Sequence, residues 1–198
     1  MRNFNTLSKL FGVITLIGGM TLALPLVANA ATPTNGSGTY CVASTSSNTP
    51  VQCFSTFEAS ISYATQGRVS LANATDARYV SPSELGSSVV ASPTNSVLAP
   101  AGNVVLAIDY SGSSYTGSSL VWTGTGCSAT VGGANMPSSF NDKTRSVAAY
   151  SGCATTLFAN ANYGSPAYLI GVNGAVSDMG SFDDTASSQL FCNYYGCA

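Results

Sequence analysis

Histidine is absent from the chain. Its absence removes the Ser-His-Asp and Cys-His arrangements in which an imidazole takes the proton of a nucleophile. No Cys-x-x-Cys pair occurs, so zinc has no plausible ligand set. No catalytic residue is expected, and the chain reads as a non-enzyme. Charge is scarce too, with Lys+Arg 6 and Asp+Glu 8 in 198 residues. Beyond residue 30 the cations are Arg68, Arg78, Lys143 and Arg145, widely spaced. Four scattered cations on a slightly acidic chain leave no footprint for nucleic acid. Nor do they form a basic patch for anionic lipid. Solubility falls to Ser, Thr, Asn and Gly, a composition common on extracellular β proteins.

What is present first is a leader. Arg2 and Lys9 precede an apolar run from Leu10 to Val27, and Ala28-Asn29-Ala30 follows. That order is the pattern of a cleavable signal peptide. A membrane span needs ~18 or more uninterrupted apolar residues. Gly12, Gly18, Gly19 and Pro25 interrupt the run. The expected product is a secreted, extracellular chain starting at Ala31, with no membrane attachment after cleavage. It carries Cys41, Cys53, Cys127, Cys153, Cys192 and Cys197. An even cysteine count in an exported chain points to disulfides, and six cysteines allow fifteen pairings. Local spacing favours Cys41–Cys53, Cys127–Cys153 and Cys192–Cys197.

The chain then divides into a hairpin-helix segment over 31–72, a Ser/Ala/Pro-rich connection over 73–102 and a β region over 103–198. Tyr40–Val42 and Val51–Phe54 read as short strands joined by a polar loop. Ser55 and Glu58 have capping-box spacing, with Ser55 placed to cap the Glu58 amide. Phe57, Ile61 and Ala64 follow on one helical face, and Gly67 is a stop, so the spacing predicts a helix over 56–66. In the β region, short β-prone runs begin at Val104 and are separated by Gly- and Asn-rich turns, which indicates an antiparallel sandwich. This segmentation assigns no function to residues 40–70.

The β region also repeats itself. Tyr110-x-x-x-x-Tyr115 recurs as Phe158-x-x-x-x-Tyr163, and Ser139-Phe140-Asn141-Asp142 recurs as Ser181-Phe182-Asp183-Asp184. Each unit is about forty residues, the length of a four-stranded Greek key.

These residues resemble the βγ-crystallin superfamily, in particular its secreted bacterial members. One mark is an aromatic, four residues, an aromatic, one residue and Gly, as in Tyr110 to Gly117. The other is a clamp of two Asn/Asp, two variable residues, Ser/Thr and Ser, as in Asp183-Asp184-Thr185-Ala186-Ser187-Ser188. The first clamp, Asn141-Asp142-Lys143-Thr144-Arg145-Ser146, departs by placing Arg145 where a hydroxyl is expected. The second aromatic pair departs by carrying its glycine one residue early, at Gly164. The resemblance implies a mainly β, two-motif Greek-key sandwich preceded by a small disulfide-tied hairpin plus one helix.

It also implies calcium, held by hard oxygen donors. From the second clamp these are Asp183, Asp184, Ser187 and the Thr185 carbonyl. From the first they are Asn141, Asp142 and the Lys143 carbonyl. The alternative is that these side chains only tie off turns. The implied function is a secreted, non-enzymatic crystallin-like protein that is structural and weakly calcium-binding. A second reading is a secreted peptidase inhibitor like the crystallin-fold bacterial metalloproteinase inhibitors. Its partner would be an extracellular protease or other protein, met by the loop Thr123–Pro137 tethered at Cys127. A lesser reading is an antimicrobial or toxin-like role. The oligomeric state is left open. If the leader is cut as expected, mass spectrometry of the secreted protein will find Ala31 at its N-terminus; an intact Met1–Ala30 would refute cleavage.

Overall fold

The computed structural model describes residues 38–46, 49–72, 74–86, 104–127 and 132–193. The leader, Cys197 and the loop tip 128–131 lie outside these residues. The described chain is mainly β. Its strands are β1 Tyr40–Ser44, β2 Gln52–Phe54, β3 Val104–Gly112, β4 Thr116–Gly124, β5 Gly132–Asn135, β6 Ser146–Ala149, β7 Ala154–Asn160, β8 Gly164–Ile170, β9 Ala175–Val176 and β10 Ser188–Cys192. The helices are α1 Phe57–Ala64 and α2 Pro82–Gly86. No helix among the described residues is long and apolar enough to cross a membrane.

Two sheets form a sandwich. One has strand order β2-β1-β4-β3-β6-β9 and the other β5-β10-β7-β8. Strands β3 to β6 make one Greek key and β7 to β10 the next. Each key gives its third strand to the other sheet: β5 pairs with β10, and β9 pairs with β6. The expectation at sequence level omitted β5 and β9. Gly132-Gly133-Ala134-Asn135 has no β-branched or aromatic residue, and β9 is only two residues long, so neither carries a strand signal.

β3, β4 and β6 are buried on both faces, which is why they read as unbroken apolar runs rather than alternating ones. Their inner faces pack Leu106, Leu120, Trp122 and Val147 against Leu157, Ile170 and Phe191 of the opposite sheet. Their outer faces pack Ile108, Tyr110, Val121 and Ala148 under Phe57 and Ile61 of α1 and under Val69, Leu71, Ala77 and Val80. Fully burying one such side chain stabilises by ~1.5–3 kcal/mol.

The segment before the sandwich is thus integral to the larger sheet. β1 runs parallel to β4, from Tyr40 beside Ser119 to Ser44 beside Thr123, and carries β2 as its antiparallel neighbour. Part of the stretch read as a connection lies against the same face. Three tyrosine hydroxyls tie it down: Tyr40 to Asp76 Oδ1 at 3.3 Å, Tyr110 to the Arg78 carbonyl at 3.1 Å and Tyr150 to the Val80 carbonyl at 2.8 Å. Burial and neighbouring hydroxyls and charges hold the Tyr110 phenol well above its usual range. Beyond it, Ser81 caps α2 and Arg78 pairs with Glu84 at 2.7 Å.

Helix α1 forms where expected, but its cap is one residue later. Thr56 Oγ1 accepts the Ala59 amide at 3.2 Å, while the Glu58 amide donates to the Ala74 carbonyl and the Glu58 carboxylate accepts from Ser70. The Ser55–Glu58 capping box is therefore not made, because Ala74 and Ser70 take the Glu58 amide and carboxylate that Ser55 would have met. At the other end Gly67 donates to the Ser62 carbonyl at 2.7 Å, with Gln66 rather than Gly67 in the first left-handed position (φ 58°). The disulfides Cys41–Cys53 and Cys127–Cys153 are formed, and Cys192 is disulfide-bonded. Thr56→Ala should cost ~1 kcal/mol in a urea titration, whereas Ser55→Ala should change stability by less than about half that. The reverse ranking would restore the Ser55 cap.

Candidate functional site

The repeated motifs build one end of the sandwich. After β3 the chain bends through a 3-10 turn, Ser113–Tyr115, and after β7 through its counterpart, Ala161–Tyr163. Ser114 and Tyr115 sit at φ 56° and 63°, Asn162 and Tyr163 at 56° and 64°. Non-glycine residues adopt this region only when the surroundings compensate. Here each ring lies edge-on to the aromatic five residues earlier, Tyr110–Tyr115 at 5.5 Å and Phe158–Tyr163 at 5.7 Å. A buried serine completes each fold. Ser146 Oγ accepts the Tyr115 amide at 3.0 Å and donates to the Gly112 carbonyl at 2.6 Å. Ser188 Oγ does the same for the Tyr163 amide at 2.9 Å and the Asn160 carbonyl at 2.7 Å. These serines end the two clamps, so the motifs that looked separate in sequence are one device. Gly117 has the positive φ expected of it, 79°, and a Cβ there would meet Ser111 Oγ at 2.6 Å. Gly164 has φ −77° and plays no such part.

The clamps lie side by side and hold each other. The Asp142 amide donates to the Ala186 carbonyl and the Asp184 amide to the Thr144 carbonyl, both at 3.0 Å. Both aspartates are left-handed, φ 54° and 55°. This exchange crosses their side chains. Asp184 faces Arg145 of the first clamp, which donates from Nε at 3.0 and 2.9 Å and also from Nη2. Asp142 faces Ser187 of the second, whose hydroxyl donates to Oδ1 at 3.1 Å. Asp184 and Ser187 therefore do not share a site, although they share a clamp.

The other expected ligands spread around these two pairs. Asn141 Nδ2 donates to Asp142 Oδ2 at 2.7 Å, and Lys143 Nζ donates to the Ser139 carbonyl at 2.8 Å, away from the carboxylates. Thr185 Oγ1 donates to the Phe182 carbonyl at 2.7 Å. Asp183 Oδ1 is buried without a hydrogen-bond partner among the described residues. Asp184 raises the Arg145 guanidinium above its ordinary pKa, with Asp183 and Asp178 adding to the field. Among the described residues no three His, Cys, Asp or Glu side chains gather as a metal cluster.

A divalent cation fits the two sites unequally. Beside Asp184 the cation position is taken by a tethered guanidinium. Beside Asp142 the facing groups are a hydroxyl and an amide, and no cation pairs with the carboxylate among the described residues. Hard oxygens of this kind suit calcium. The crossing was not legible in sequence, since it depends on which carbonyl each aspartate amide reaches.

The loop proposed to enter a protease cleft is held at both ends. Thr123 and Gly124 belong to β4, Gly132–Asn135 pairs with β10, and Cys127 is bonded to Cys153.

No protein-family model and no curated protein matches the chain. Several solved structures do resemble it in part. A βγ-crystallin domain from Clostridium beijerinckii is 16% identical, with TM-score 0.35, over 44% of this chain and 98% of that one. One from Flavobacterium johnsoniae is 20% identical, with TM-score 0.32, over 43% and 92%. A βγ-crystallin from an archaeon is 22% identical, with TM-score 0.34, over 43% and 95%.

Because Ser146 and Ser188 are fully buried and each serves one carbonyl and one amide, Ser146→Ala and Ser188→Ala should each cost ~1–3 kcal/mol. Equilibrium unfolding of both variants checks this; a negligible loss at either would show that its turn stands without the serine.

Proposed function

We propose that the protein is an exported, non-catalytic crystallin-like module with one weak calcium site and a second site filled by its own arginine. The observation that carries this reading is the crossed pairing, Arg145 with Asp184 and Ser187 with Asp142. Asp142 and Ser187 would hold the ion by side-chain oxygens, with Asn141 on the far carboxylate oxygen. The bound ion would neutralise a carboxylate that otherwise faces only neutral donors, and would tie the two Greek keys together at their junction. Arg145 does the same at the other pair without an ion. Support for export comes from the leader and from the disulfides. The absence of histidine supports a non-catalytic role.

A calcium titration by calorimetry tests the assignment. Wild type should take one ion with a dissociation constant on the order of 10⁻⁴–10⁻³ M, the range of extracellular modules. Asp142→Ala should abolish binding and Asp184→Ala should not. Arg145→Ser, by freeing Asp184 and restoring a hydroxyl, should add a second ion. Two ions bound by wild type, or binding that survives Asp142→Ala, would overturn the reading.

A further inference from the structure

Among the described residues, Asp109 is the one acidic or basic side chain that is buried, at 0% exposure. It stands on β3 and faces the space between the sheets, flanked across the strands by Leu120 of β4 and Val147 of β6. Trp122 Nε1 of β4 donates to its Oδ2 at 2.7 Å. Gln189 Nε2 of β10, in the opposite sheet, donates to its Oδ1 at 3.3 Å and to Thr155 Oγ1 of β7 at 2.8 Å. Thr155 gives its own proton to the Leu190 carbonyl at 2.9 Å. No ionisable group faces Asp109 from β4, β6, β7 or β10; those strands offer Leu120, Trp122, Val147, Thr155 and Gln189. Tyr110, next along β3, lies on the opposite face with its hydroxyl on the Arg78 carbonyl.

Two features of this network point the same way. A carboxylate here would be a full charge in an apolar core with no cation among the described residues to neutralise it, a costly state. The network is also short of donors, since Gln189 Oε1 is buried with no hydrogen-bond partner among the described residues. A proton on Asp109 removes the charge and adds a donor.

We propose that Asp109 is a proton-operated latch between the two sheets: neutral, it joins Trp122 to Gln189 across the core; ionised, it weakens the sandwich. Burial pushes its carboxyl up to about 7, against the lowering effect of the Trp122 and Gln189 hydrogen bonds. In the unfolded chain an aspartate titrates near ~3.9. Below about pH 4 both states hold the proton and the contribution is fully present. Between about 4 and 7 the folded protein keeps a proton that the unfolded chain releases, so stability falls as pH rises, by up to about tenfold in the folding constant per unit. Above about 7 both states are ionised and the loss levels off. The fold is therefore favoured in mildly acidic surroundings and loosened in alkaline ones.

The chain supplies its own reporter, because it has a single tryptophan, and that indole donates to Asp109. It also lacks histidine, the side chain that ordinarily titrates near neutrality. The test compares the secreted wild type with Asp109→Asn, which keeps the shape and carries no titrating proton. From pH 5 to pH 7 the wild-type folding constant from urea titration should fall by about fiftyfold more than that of the variant. In folded wild type the Trp122 indole N–H resonance should shift with a midpoint near pH 7. That second measurement decides the matter alone if the variant does not fold. An indole resonance that stays still between pH 5.5 and 8.5, or an Asp109→Asn variant with the wild-type pH slope, would overturn the latch.

Discussion

Each Greek key surrenders its third strand to the other's sheet, and the rest of the molecule depends on that exchange. With β5 in one sheet and β9 in the other, neither key closes its own sheet without its partner. The same exchange brings the two clamps together, where the amide of each central aspartate reaches a carbonyl of the opposite clamp. Their acids consequently look across at each other's fifth residue. The chemistry of this end of the sandwich is thus set by a backbone pairing, and the side chains inherit it.

A chain this poor in charge makes each ionic group visible. Arg145 meets Asp184, Arg78 meets Glu84, and Lys143 binds a carbonyl. The Arg78–Glu84 pair holds the Glu84 carboxyl down at about 2, yet it is largely solvated and so contributes little to stability. Asp109 is the opposite case, with full burial and no ionic partner among the described residues. The exposed pairs lie at the surface, while the buried acid sits where both sheets meet.

The two outer faces of the sandwich differ. The larger sheet carries α1 and the stretch around Val69 to Val80, held by tyrosine hydroxyls. The smaller sheet has no such cover among the described residues, and Leu169 on its edge strand is 45% exposed. The symmetry of the repeat is therefore broken by what precedes it in the chain.

The sequence alone determined the aromatic pairs, the clamp motifs, the Cys41–Cys53 bridge and helix α1, because each rests on short-range spacing that a single chain displays; the class of the fold followed from the resemblance those motifs carry. Tyr110 and Tyr115, or Cys41 and Cys53, lie close enough for the local turn to bring them together. Even there a neighbour decided detail: Ser55 and Glu58 had the spacing of a capping box, but Ser70 and Ala74 took the Glu58 carboxylate and amide and Thr56 became the cap. The tertiary structure alone decided that Ser187 faces Asp142, that Arg145 fills the place beside Asp184, and that Asp109 lies between Trp122 and Gln189. Those contacts join residues from 13 to 80 positions apart. The cross-clamp and cross-sheet partners follow from which strand crosses to which sheet, a pairing between distant segments that no local pattern of residues displays.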